Sequence, residues 1–124
     1  MPWCRIRLEL ARTPEHPEGS RMHGYEIIAP LDAQGLINEE TWRADKERAK
    51  VRRFWEGEDD ENGQLIHTRH RTWAFSYAPG EEDDEPIFHL ETHALKYGDY
   101  VTVKEHDGVS RTFRVGVVKQ LARQ

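Results

Sequence analysis

The chain has 124 residues, enough for one domain, but Leu, Ile, Val and Phe supply only 25 of them, so the core must be lean. A net charge of −5 and aromatics that include four Trp argue against disorder, and Trp3, Trp42, Trp55 and Trp73 become core candidates because each ring can bury roughly 150–250 Å². One cysteine, Cys4, excludes an internal disulfide and a Cys-based metal site, and no stretch approaches the ~20 apolar residues of a membrane-spanning helix.

Residues 3–11 alternate Cys4, Ile6, Leu8 and Leu10 against Arg5, Arg7 and Glu9, the pattern of a half-buried strand in which Cys4 is a small buried hydrophobe. The start Met1-Pro2-Trp3-Cys4-Arg5 lacks the apolar segment of a signal peptide, so a soluble cytoplasmic protein is expected. Two prolines and a glycine between Thr13 and Ser20 predict an exposed loop, followed by a strand over 25–29 that Pro30 stops. Asn38 suits an N-cap, Glu39 and Glu40 suit the first turn, and a short helix is expected over about 39–49. Residues 50–55 then read as a strand, Asn62-Gly63 as turn residues, 64–69 as the returning strand and 72–77 as a further one, with Trp73, Phe75 and Tyr77 on one face. Residues 86–93 are expected to be extended.

The last quarter is the clearest signal. Val101 and Val103 are apolar at odd positions, as are Val109, Phe113, Val115 and Val117. Facing residues in an antiparallel pair share a side of the sheet, so paired numbers must sum to an even value. That excludes a two-residue Asp107-Gly108 loop. A three-residue loop His106-Asp107-Gly108, with Gly108 at positive φ, sets Val101 opposite Phe113 and turns Val101, Val103, Phe113, Val115 and Val117 inward. Within this region Leu95-x-x-Gly98-Asp99-x-Val101-x-Val103 resembles the entry to a strand in small β-barrels, the cupin-like ones among them. The cupin metal motif His-x-His is absent, so the resemblance implies a barrel and carries no activity with it. The pattern as a whole predicts a mainly β, single-domain protein over 1–124: a small antiparallel barrel, closed or partly open, of seven to eight short strands with one short helix.

Three sets of residues could carry function. Arg52, Arg53, Trp55, Arg69, Arg71 and Trp73 interleave cations with aromatics, the composition of a face that recognises an acidic protein surface or a nucleic acid. His89, Glu91 and His93 fall on one side of an extended segment and offer metal-ligand chemistry, with His106, His67 or His70 as further donors. Because His89 and His93 stand about 13 Å apart in a strand, they could share an ion only through a bend or with donors from elsewhere. Glu58-Asp59-Asp60-Glu61-Asn62-Gly63 partly matches a calcium loop, but its twelfth position is Arg69 rather than a bidentate Glu, which favours a solvated turn. No nucleophile elbow or phosphate loop is present. The leading expectation is a non-enzymatic binding module; the alternatives are a barrel holding a divalent transition metal, catalytic or not, and a small-ligand barrel.

Overall fold

A computed structural model describes residues 2–68, 71–77, the backbone of 85–87, 94–105 and 107–121. Among the described residues eight strands follow one another around an antiparallel barrel: β1 Trp3–Leu10, β2 Ser20–Pro30, β3 Lys50–Trp55, β4 Glu61–His67, β5 Trp73–Ser76, β6 Glu85–Ile87, β7 Tyr100–Lys104 and β8 Ser110–Gln120. β8 closes the ring against β1, from Cys4 opposite Gln120 to Leu10 opposite Phe113. The ring is uneven: β6 has three residues and, among the described residues, meets β7 only at Ile87 and Val103. No helix among the described residues is long and apolar enough to cross a membrane.

Alternation fills the interior. Ile6, Leu8, Tyr25, Ile27, Val51, Leu65, Phe75, Val103, Phe113 and Val115 are all buried from water. Trp3, Trp42 and Trp73 join this core, whereas Trp55 is only half-buried. Tyr25 meets Phe75 and Phe113 at 4.7 and 5.1 Å between ring centroids, so aromatic rings supply the bulk that the few aliphatic residues do not. Cys4 is buried as expected, and burial pushes its thiol up, away from the reactive thiolate.

The helix α1, Glu39–Ala44, is shorter than the expected 39–49. Asn38 caps it by accepting from the Thr41 amide at 2.8 Å, but the chain leaves α-geometry at Asp45 and makes a 3-10 turn over Lys46–Arg48. Trp42 anchors α1 to the barrel end by donating from Nε1 to the Leu65 carbonyl at 3.0 Å and by packing edge-on to Trp73. The β3–β4 turn also differs from expectation. Gly57, at φ 86°, makes it, while Asn62 and Gly63 lie inside β4 opposite Arg52 and Val51. Gly63 is needed there for proximity, because a Cβ would stand 2.3 Å from the Ser76 carbonyl oxygen.

The closing hairpin has the expected register. Val101 faces Phe113, Glu105 and Val109 bracket the turn, and Gly108 takes φ 85°. Val117 departs from it: it is 43% exposed rather than inward. On β1, Leu8 faces Val115 and the next partner, Arg7, faces Val117, which leaves Gly116 as an extra residue. This bulge reverses the alternation, and Val117 turns out.

Candidate functional site

The antiparallel order puts the β1–β2, β3–β4 and β7–β8 connections at one end of the barrel, the mouth, and α1 with the β4–β5 turn at the other. The six residues of the expected basic-aromatic face are divided between these regions. Along β3, Val51, Arg53 and Trp55 point in while Arg52 and Phe54 point out, so Arg52 and Arg53 stand on opposite sides of the sheet. Arg71 is exposed in the β4–β5 turn at the far end, with φ 62°, and Trp73 is core. Arg69 lies outside the described residues, as do His70, His89, Glu91, His93 and His106. His67 is described and is half-buried, with its ring against Trp73 and Trp42. Among the described residues no group of three or more His, Cys, Asp or Glu is placed to hold a metal ion.

Arg53 belongs to a network in the mouth. Its Nε donates at 3.0 Å to Oε2 of Glu105, which also accepts from the Tyr25 hydroxyl at 2.5 Å, and Arg111 Nη1 donates at 2.6 Å to Oε1. Glu105, Arg53 and Tyr25 are all buried. Burial pulls the Arg53 guanidinium down, but the adjacent Glu105 charge and hydrogen bond outweigh it and hold Arg53 above the ordinary arginine range. Arg111 is raised by the same balance, with Glu105 and Asp107 opposing burial. Both guanidinium groups flank the Trp55 ring, at 4.3 and 5.5 Å, and His23 meets that ring edge-on at 4.5 Å. Burial, with His16 beside it, lowers His23 below the ordinary imidazole value. An open cleft of about 530 Å³ over this network is lined by residues that include Arg12, His16, Trp55 and Arg111.

Parity already points to part of this network. Glu105 and Arg111 are odd-numbered like Val101 and Phe113, so the alternation that buries the valines also turns them inward. Arg53 and Tyr25, 52 and 80 residues from Glu105, have no such local signal.

The outer face of β3 is self-neutralised. Arg52 donates to Asp60 at 2.8 Å and reaches Glu26, which also meets Arg5. Arg7 and Arg52 cover the outward Phe54 ring at 4.3 and 5.2 Å.

The outer face of β7 and β8 is different. Tyr100 stands opposite Arg114, whose guanidinium lies 5.2 Å from the Tyr97 ring centroid. Tyr97 and Tyr100 are 68% and 55% exposed. Lys104 and Lys119 extend the face, and with Arg114 they make no ion pair among the described residues. Glu9, opposite Arg114 on β1, is held by Arg7 at 2.9 Å. This is a basic-aromatic surface built from residues that carry no motif in the sequence. The one signal that could find Tyr100, Lys104 and Arg114 is the strand alternation that buries their apolar neighbours and turns these three outward.

Comparison with protein-family models, curated proteins and solved structures finds no match to the chain.

Proposed function

We propose that the protein is a binding module that takes an acidic partner on the outer face of β7 and β8. The observation that carries this reading is that three cations without carboxylate partners among the described residues, Lys104, Arg114 and Lys119, share one face with two exposed tyrosines in a chain of net charge −5. Four other arginines are answered within the fold: Arg53 and Arg111 by Glu105, Arg52 by Asp60, Arg7 by Glu9. A cation left to solvent retains its full attraction for an incoming anion, and a cluster of them steers encounter more strongly as salt falls. Exposed aromatic area beside the charges adds contact surface that charge alone does not supply.

The test is fluorescence anisotropy at about 50 mM salt, where phosphate contacts are strong, with a labelled polyglutamate peptide and a labelled oligonucleotide as probes. Lys104→Glu with Arg114→Glu and Lys119→Glu should abolish binding while leaving the circular dichroism and melting curve near those of the parent. Arg52→Glu with Arg71→Glu, which alters cations away from β7 and β8, should change affinity little. No binding of either acidic probe, or unchanged affinity in the folded triple variant, overturns the proposal.

A further inference from the structure

The partner class can be narrowed from the shape and chemistry of the same face. We infer that the β7–β8 face binds single-stranded nucleic acid, with bases stacked on Tyr97 and Tyr100 and the backbone held by Lys104, Arg114 and Lys119; this rests on the acidic-partner reading.

Three observations favour a single strand over other polyanions. Stacking surface comes first. Tyr97 and Tyr100 are largely exposed, and Arg114 adds a planar cation that lies over the Tyr97 ring and pairs in register with Tyr100. Unpaired bases offer flat faces to such groups, whereas a duplex keeps its bases stacked on one another and presents mainly phosphate. The strand geometry supplies the spacing. Outward positions recur about every 6.6–7 Å along a strand, so Tyr100, Thr102 and Lys104 form a row whose step is comparable with one nucleotide of an extended chain. The Thr102 and Thr112 hydroxyls, 3.2 Å apart, provide a polar floor midway. Finally, pairing limits the usual peptide mode. An extended peptide gains affinity by adding to an unpaired sheet edge, but β8 is paired on both sides, with β7 and β1, and β7 is paired with β8 along Tyr100–Lys104 and with β6 at Val103. An acidic peptide would have side-chain contacts only and no use for the tyrosine faces.

A recess continues the face beyond Tyr97. An open cleft of about 450 Å³, lined by Leu31, Leu95, Tyr97 and Val118 with Lys96 among its walls, lies where β1 meets the chain before β7. It places apolar surface and a cation together at the end of the tyrosine row.

The experiment measures anisotropy with an oligothymidylate and an oligouridylate of about 12 nucleotides, within the site size of small β-barrels, a duplex hairpin and a polyglutamate peptide of matched charge. Single strands should bind at least about tenfold more tightly than the duplex or the peptide. Tyr97→Ala and Tyr100→Ala should each weaken single-strand binding roughly 5- to 150-fold, the measured worth of one stacked base, with no change for polyglutamate. Tyr97→Phe and Tyr100→Phe should retain most of the affinity, because the ring and not the hydroxyl does the stacking. If polyglutamate binds as tightly and the alanine variants change nothing, the nucleic-acid inference falls while the acidic-partner reading stands. If single strands bind but the alanine variants match the parent, the stacking assignment falls. If no polyanion binds, both fall together.

Discussion

Glu105 illustrates how one carboxylate can decide whether a barrel mouth holds together. It receives hydrogen bonds from Arg53, Arg111 and Tyr25, and Arg53 is buried with it. Removing one member of a buried charge pair typically costs about 3–5 kcal/mol because the other is left uncompensated, whereas replacing both with apolar groups is often far milder. Glu105→Ala should therefore lower unfolding free energy by about that amount, and Arg53→Met combined with Glu105→Leu should cost less than the two single changes added together. Urea unfolding of all variants measures this, and simple additivity would show that the two groups are not coupled. His23 introduces a pH dependence in the same region. Its pKa is lowered by burial and then by His16, with Arg53 in the same direction and Glu56 and Glu58 opposing. An imidazole held down in the fold binds its proton less readily than in the unfolded chain, so its contribution is complete above the unfolded value and is lost as pH falls through the folded one. The parent melting temperature should drop between about pH 7.5 and pH 5 more than that of His23→Phe, which keeps a ring against Trp55 but cannot titrate; equal drops would remove His23 as the cause.

At the level of single elements, the hairpin β7–β8 is the best test of reading by alternation. Its three-residue loop places Gly108 in the left-handed region, and nothing lies within 4 Å of the point a Cβ would occupy, so only backbone strain opposes a side chain there. Gly108→Ala should cost about 1–2 kcal/mol, and Gly108→Asn less, since Asn visits this conformation more readily. Chemical denaturation distinguishes them; equal losses would point to a cause other than φ. The register is legible in the sequence because two apolar sets of the same parity leave few ways to pair. The helix limit is less so: Thr41–Ala49 contains good helix formers throughout, but Asp45 adopts φ −151° and the following residues must deliver Ala49 and Val51 to the barrel interior. Tertiary demand therefore sets where α1 stops. The site is less legible still. Arg53 reads from sequence as a surface cation, and only its pairing with a carboxylate 52 residues away accounts for its burial. Tyr97, Tyr100 and Arg114 carry no motif, and only the pairing of the strands brings them together.

Across the whole molecule, stability should be distributed unevenly around the ring. β1 is paired along its length on both sides, to β2 and β8, while among the described residues β6 and β7 share one residue pair. Native-state hydrogen exchange should find β1 and β2 amides protected to near the global unfolding free energy, with Ile87 and its neighbours in β6 opening well below it; uniform protection would contradict a weak seam. Opening there would part β5 from β7 while leaving the β7–β8–β1 face intact, so a partner on that face need not compete with the motion. Gly116 has a different reach. Because it is one residue too many for the ladder, deleting it should leave a regular strand in which Val115 still faces Leu8 and Val117 still faces Arg7 on the outside. Glu9 lies against this residue, and a Cβ there would sit 2.9 Å from its carboxylate oxygen, so a larger residue would require the Glu9 side chain to move aside. Gly116 is thus the point where odd and even numbers trade faces along β8, so that Val115 lies in the core and Val117 on the surface.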